Sequence, residues 1–109
     1  WPLAAGLYLG GKSPLVMMQT TGLFESGDAL RNVLFDLRIP LFALIGYRSY
    51  LVEDSPDTAK KFAEPILNVW GLQYKLINGS NDLPKLVEHY RVCQAAGTPG
   101  VGLIAEGAM

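Results

Sequence analysis

Residues 15–23 of the chain are LVMMQTTGL, a short apolar run followed by two threonines, a glycine and a leucine. A continuous apolar run of this length is typical of a strand that is covered on both faces of a sheet. From residue 26 onwards the apolar residues recur at helical spacing. The pattern predicts a buried strand, a turn at Gly22 and a helix that Thr21 or Ser26 caps. The apolar stripe of this helix is Ala29, Leu30, Val33, Leu34 and Leu37.

The alternation of apolar runs and helical patterns extends along the whole chain. Strands are predicted at 41–45, 74–77 and 101–105, and helices at 2–10, 58–70 and 83–93. Pro65 lies inside the 58–70 pattern and is expected to break or kink that helix. Strands that alternate with helices form parallel sheets through right-handed crossovers. The sequence therefore predicts one domain over 1–109, an α/β three-layer sandwich with a mainly parallel central sheet.

The composition limits the classes of partner. Lys and Arg number 9 and Asp and Glu number 10, so the net charge of −1 argues against a general nucleic-acid binder. Half of the residues are hydrophobic and 17% are charged, against about 25% in ordinary soluble domains. This balance indicates that apolar surface is buried against another chain. The single cysteine favours a reducing, cytoplasmic setting, and no apolar run approaches the ~20 residues of a membrane span.

Parallel sheets bind ligands beyond the carboxyl ends of their strands. Thr20–Leu23, Tyr47–Ser49 and Glu106–Gly107 follow predicted strands and are expected to share that edge. At Gln19–Leu23, free backbone N–H groups and two hydroxyls would meet at a helix N-terminus, where a polar ligand could be held. The alternative is a simple strand-to-helix turn capped by threonine.

The two side chains with the strongest potential for catalysis lie on one helical pattern. Cys93 falls on its apolar stripe and is expected to be a packed core thiol rather than a nucleophile. His89, beside Glu88, is expected to be a solvated surface residue. A single histidine also excludes a His-rich metal site.

Residues 6–50 are GLYLGGKSPLVMMQTTGLFESGDALRNVLFDLRIPLFALIGYRSY. This stretch resembles the pyrimidine-binding domain of thiamine-diphosphate-dependent enzymes, and among them the sulfopyruvate and phosphonopyruvate decarboxylases. In that group a helix ending A-A-G-x-Y-L-x-G-K precedes a strand ending Q-[NST]-[ST]-G-L, and I-P-[LM]-x-x-L-I-[GS]-[WY]-R follows. DTAKKFAEPILNVWGL at 57–72 and TPGVGLIAEG at 98–107 also resemble the group. The resemblance covers nearly the whole chain and rests on the ordered set of motifs.

The resemblance implies a function in decarboxylating a 2-oxoacid, with the cofactor stabilising the carbanion. Gln19, Thr20, Thr21, Gly22 and Leu23 would border the aminopyrimidine of thiamine diphosphate. Arg48 and Tyr47 would bind the substrate, because a guanidinium can grip a phosphonate or sulfonate with two hydrogen bonds. The alternative for Arg48 is a salt bridge with Glu53 or Asp54.

The resemblance also implies a partner. Thiamine diphosphate and Mg²⁺ would be held mainly by a diphosphate-binding domain or beta subunit, in a homo- or hetero-oligomer. The alternatives are a domain of an acetolactate-synthase-like enzyme and a non-catalytic α/β assembly module.

Two departures from the group's pattern stand out. Phe24 and Glu25 occupy positions where the group has glycine and an amide. The group's activating glutamate precedes the A-A-G motif and by resemblance would lie upstream of Trp1, so we expect a fragment without that glutamate. A degenerate homologue is the alternative, and we expect no catalytic residue within this chain alone.

Overall fold

The structure, a computed structural model, describes residues 1–107. Helices and strands alternate throughout, as predicted. The helices are α1 (Pro2–Leu9), α2 (Thr20–Arg31), α3 (Thr58–Val69) and α4 (Leu83–Ala96), with a π-helical turn at Asn32–Asp36 and a 3₁₀ turn at Ser80–Asp82. The strands are β1 (Leu15–Gln19), β2 (Phe42–Tyr47), β3 (Tyr74–Ile77) and β4 (Gly100–Ala105).

The four strands form one sheet in the order β1-β2-β4-β3, and every neighbouring pair is parallel. Gln19 of β1 is level with Gly46 of β2, and Gly46 is level with Ile104 of β4. Right-handed crossovers in this order place α2 and α3 on one face and α4 on the other. The predicted α/β three-layer arrangement with a parallel sheet is confirmed.

The main hydrophobic core lies on the face that α2 and α3 cover. Ala43 and Ile45 of β2 and Leu103 of β4 are fully buried there, against Leu30 of α2 and Leu67 of α3. Ala43 and Ile45 are alternate positions of β2, as expected for one face of a pleated sheet. This core holds the carboxyl ends of β1, β2 and β4 in a fixed arrangement.

Helix α2 begins earlier than the sequence pattern predicts. It starts at Thr20, directly after the last residue of β1, so Gly22 is helical and the predicted turn is wrong. The N-cap is Gln19, which makes no side-chain cap hydrogen bond. The hydroxyl of Ser26, predicted as a possible cap, instead donates to the carbonyl of Gly22 one turn earlier. The strand therefore ends at the point where the helix's free N–H groups begin.

Two local expectations for α4 fail, and the break expected at Pro65 is absent from α3. Helix α3 continues through Pro65 without a break, and its buried side chains are Ala59, Ala63 and Leu67. His89, expected at the surface, is buried and its Nε2 lies 3.3 Å from the carbonyl oxygen of Gln73. Helix α4 faces the sheet with His89 and Cys93. The helical spacing predicts a buried face of Leu83, Leu86, Val87, Tyr90 and Cys93. Three of these five side chains are instead more than one-third exposed: Leu83, Val87 and Tyr90.

Glycines of β4 set how closely α4 approaches the sheet. A Cβ on Gly100 would lie 2.5 Å from Sγ of Cys93, and one on Gly102 would lie 2.5 Å from Cδ1 of Leu86. A larger residue at Gly100 would therefore overlap Cys93 and Phe42, and one at Gly102 would force the Leu86 side chain to shift. Cys93, as expected, is a core thiol, fully buried at this contact.

We predict that Gly100→Ala destabilises the protein by about 1–3 kcal/mol, because the added methyl group overlaps Cys93 and Phe42. Gly27→Ala is the matched control. Nothing lies within 4 Å of its added Cβ, so this substitution within α2 should stabilise by roughly 0.5–1 kcal/mol. Urea unfolding monitored by circular dichroism measures both changes, and a neutral Gly100→Ala would contradict the close packing of α4.

Candidate functional site

The carboxyl ends of three strands meet at one edge of the sheet. β1 ends at Gln19, β2 at Tyr47 and β4 at Ala105, and all three run in the same direction. The segments that follow them are the start of α2, the loop 48–57 and Glu106–Gly107. The predicted functional edge is thus formed by the expected segments.

A side-chain hydrogen bond crosses this edge between strands that are not neighbours. Nε2 of Gln19 donates to Oε2 of Glu106 at 3.1 Å. β2 lies between these residues, and at that level it carries Gly46. A Cβ on Gly46 would collide with the carboxylate of Glu106. The missing side chain therefore creates the space that the Gln19–Glu106 pair occupies.

Glu106 had no motif to identify it. Its position after a strand placed it on the edge, but its partner Gln19 is 87 positions away in the sequence. Gly46, in register with Gln19, is a sequence signal for this contact. It can be interpreted only when the strand order is known, because β2 lies between β1 and β4.

The five residues predicted to border a cofactor are not equally available. Thr20 and Leu23 are buried toward the core, whereas Thr21 is exposed. Gly22 is partly buried, and its Cα packs so closely on Met18 that a Cβ would lie 3.1 Å from the Cβ of Met18. Gln19 is partly buried and directs its amide to Glu106. The side chains of Gln19 and Thr21 and the backbone at Gly22 are the accessible parts of this segment, and a cofactor contact by any of the five residues stays a prediction.

The hydroxyl of Thr20 is a buried polar group for which residues 1–107 supply no hydrogen-bond partner. Thr20 is the first residue of α2 and follows Gln19 directly. A buried hydroxyl without a partner costs about 1–3 kcal/mol. The Thr20 hydroxyl at the start of α2 is thus unsatisfied within the described residues, and because it is fully buried it presents no surface to a ligand.

Arg48 lies in an ion pair at the start of the loop. Its Nε and a terminal nitrogen donate to the two carboxylate oxygens of Asp57 at 2.7 and 2.9 Å. The hydroxyl of Ser49 and the backbone N–H of Ala59 donate to the same carboxylate at 2.8 and 3.0 Å. Asp57, the N-cap of α3, is therefore the ion-pair partner, and the alternatives Glu53 and Asp54 are wrong. A substrate role for Arg48 stays a prediction, in which an anion competes with Asp57.

The carboxylate of Asp57 also fixes the loop conformation. Ser49 has a positive φ of 63°, which is unusual for a residue other than glycine. The Arg48 guanidinium, followed by the N–H of Ala59 and the Ser49 hydroxyl, holds the pKa of Asp57 well below its ordinary value. The ion pair thus ties both ends of the loop to the edge of the sheet.

Tyr47 occupies a different position from Arg48. Its side chain is buried, and its hydroxyl donates to Oε2 of Glu64 at 3.0 Å. The hydroxyl of Tyr74 donates to the other oxygen of Glu64 at 2.9 Å. Burial, and then the hydrogen bond to Glu64, raises the pKa of both tyrosines. The predicted substrate contact of Tyr47 remains a prediction, since this hydroxyl faces α3.

An apolar groove of about 590 Å³ leads to the Gln19–Glu106 pair on the α4 side of the sheet. The pair and Gly46 form its polar end. The remainder of the groove is lined by apolar side chains of β1, β2, β4 and the start of α4: Met17, Met18, Leu44, Leu83, Leu86 and Ile104. An apolar cleft with a few convergent polar groups suits a small ligand that is largely apolar and carries a few polar atoms.

Within the described part of the chain, no three His, Cys, Asp or Glu side chains are grouped closely enough to hold a metal ion. No helix among residues 1–107 is both long enough and apolar enough to cross a bilayer. His89 and Cys93 are neighbours, with Nδ1 3.8 Å from Sγ, but Cys93 has no exposed surface.

We predict that Asp57→Asn lowers stability near neutral pH and flattens its pH dependence. Because the folded-state pKa of Asp57 is depressed, its contribution is fully present above about pH 4, the ordinary range of the unfolded carboxyl, and is lost as the pH falls toward the folded value. Asparagine still caps a helix, so the substitution isolates the pairing with Arg48. Urea midpoints measured across the acid range should show this difference. The exposed Asp54→Asn is the control, and an equal effect of both variants would contradict the ion pair.

The amino-acid sequence is similar to that of one curated enzyme over most of the chain. Across 86 residues, 77% of this chain, it is 33% identical to a sulfopyruvate decarboxylase of Methanosarcina acetivorans. The aligned region is 22% of that enzyme's length, so the chain spans less than a quarter of this relative. No family model matches the chain.

Proposed function

We propose that this chain is the pyrimidine-binding domain or subunit of a thiamine-diphosphate-dependent 2-oxoacid decarboxylase of the sulfopyruvate or phosphonopyruvate type. The observation that carries the proposal is the polar edge, where the Gln19–Glu106 pair lies beside the first turn of α2. The similarity to a sulfopyruvate decarboxylase over 77% of the chain supports it.

The residues present fit an aminopyrimidine ring. Such a ring carries hydrogen-bond donors and acceptors along one edge and two apolar faces. The edge offers the amide of Gln19, the carboxylate of Glu106 and the N–H groups of the first turn of α2, which have no partner within the helix. The adjoining groove is lined by Met17, Leu44 and Ile104. Polar groups at one end and apolar walls elsewhere match a ring of this kind.

Each group has a separate part in holding the pyrimidine. Gln19 would contact the polar edge of the ring, and Glu106 would keep the Gln19 amide in place. The N–H groups at the start of α2 would donate hydrogen bonds to a negative charge or lone pair nearby. The apolar groove would exclude water from the ring. Once bound, thiamine diphosphate supplies carbanion stabilisation after loss of carbon dioxide from the substrate.

The diphosphate and Mg²⁺ are assigned to a partner domain or beta subunit. The described residues form no acidic cluster for the metal, and the chain corresponds to less than a quarter of its relative. Large apolar side chains remain exposed, among them Leu3, Met17 and Val69. An oligomer in which a second domain covers such surface fits the low proportion of charged residues.

The activity is tested on the longest reading frame that contains this chain, produced with and without a co-expressed diphosphate-binding subunit. We expect carbon dioxide release from sulfopyruvate, phosphonopyruvate or pyruvate only when thiamine diphosphate and Mg²⁺ are present. Isothermal titration should show tight cofactor binding by the assembly and not by this chain alone. Cofactor binding by the assembly without turnover of any of the three substrates would overturn the decarboxylase proposal and favour a different thiamine-dependent reaction.

We predict that Arg48→Ala raises the KM for sulfopyruvate and phosphonopyruvate more than the KM for pyruvate. Both substrates carry a second anionic group that a guanidinium can bind, and pyruvate does not. Arg48→Lys keeps the charge but loses the two-pronged geometry, so its effect should be intermediate. An equal rise for all three substrates would assign Arg48 to the Asp57 ion pair alone.

A further inference from the structure

The donor and acceptor arrangement at the sheet edge is fixed by chemistry. An ionised carboxylate only accepts hydrogen bonds, whereas a glutamine amide has a donating and an accepting end. Since Glu106 accepts from Gln19, the NH₂ group must be the end that faces Glu106. The carbonyl oxygen Oε1 of Gln19 is then turned away from Glu106, and it has no hydrogen-bond partner among residues 1–107.

This orientation depends on three strands at once. Gln19 and Glu106 meet only because Gly46 carries no side chain between them. Both side chains are partly buried, so water competes less for this hydrogen bond than for one at the surface. The backbone thus places both partners, and the geometry does not rely on a flexible loop.

We infer that Glu106 is a positioning residue that sets the hydrogen-bond polarity of the site. By holding the NH₂ group of Gln19, it leaves Oε1 of Gln19 and its own second oxygen as acceptors. The site then selects a ring that presents a donor, such as the exocyclic amino group of an aminopyrimidine, over a ring of the same shape without one. This inference rests on the proposed function and specifies which edge of the ring the site recognises.

The test compares two small rings of matched shape on the full chain. The probes are 4-amino-2-methylpyrimidine and 2,4-dimethylpyrimidine, in which a methyl group replaces the amino group. Binding is measured by ¹⁵N chemical-shift titration, at a pH at which both rings are neutral. We expect the amino probe to bind roughly three- to tenfold more tightly, the effect of one hydrogen bond, with shifts at the Gln19 side-chain amide.

Variants of the pair test the positioning role. In Glu106→Gln the new amide can donate to or accept from Gln19, so the orientation is no longer enforced and the preference for the amino probe should fall toward one. Gly46→Ala displaces Glu106 and should have the same effect. Glu25→Gln removes an exposed glutamate of α2 and should keep the full preference. Circular dichroism checks that each variant is folded. If Gly46→Ala does not fold, the near-isosteric Glu106→Gln alone tests the positioning role.

The outcomes separate the two proposals. Equal binding of both rings by the wild type overturns the inference and leaves a pyrimidine site in place. The inference is also overturned if Glu106→Gln keeps the preference for the amino probe. It is likewise overturned if the Gln19 side-chain amide resonances of the ligand-free variant are the same as in the wild type. Binding of neither ring by the chain overturns the inference, whereas the proposed function is decided separately by cofactor binding and turnover in the assembly.

Discussion

Glycines on one face of the two central strands, β2 and β4, determine both the packing of α4 and the geometry of the polar edge. Gly100 and Gly102 of β4 let α4 rest on the sheet through Cys93 and Leu86. Gly46 of β2, on the same face by strand alternation, opens the space for the Gln19–Glu106 hydrogen bond. Helix packing and site geometry therefore depend on the same feature of the sheet. A methyl group at either place would act through steric overlap in a close-packed interior.

The carboxyl edge of the sheet carries two polar systems with different partners. The Gln19–Glu106 pair opens onto the groove on the α4 side. The Arg48–Asp57 pair holds the loop 48–57, and its charges already compensate each other. Breaking that pair to bind a substrate anion would leave Asp57 with fewer donors, so any anion there must replace interactions the protein already makes. The side-chain oxygen of Gln19 has no partner among residues 1–107, so a ligand that binds it needs no such exchange. A ligand therefore binds at the Gln19–Glu106 pair with a smaller free-energy cost than at the Arg48–Asp57 pair, where existing interactions must first be broken.

Elements that are specified locally were predictable, and contacts across the sheet were not. β1 and β3 match their predicted ends because apolar runs are bounded there by polar or turn residues. The start of α2 was missed because β1 leads into it with no turn, so Gly22 gave a false stop. The prediction for His89 is wrong because apolar residues lie on two sides of α4. The glycines of β4 leave space for the side that carries Cys93, and His89, one turn earlier, is buried with it. The partner of Arg48 could not be chosen among acids spaced within nine residues, since the loop conformation decides it.

The exposed groove bears directly on how strongly the polar edge can bind. Met17 is 71% exposed and Leu15 47% exposed, although parallel strands are ordinarily covered on both faces. α4 covers this face over β3 and β4 and leaves β1 open among the described residues. A chain that covered β1 and the mouth of the groove would bury these side chains and also remove water from Gln19 and Glu106. Hydrogen bonds are stronger where water is excluded, so covering the groove and binding a ring at the polar edge would favour each other.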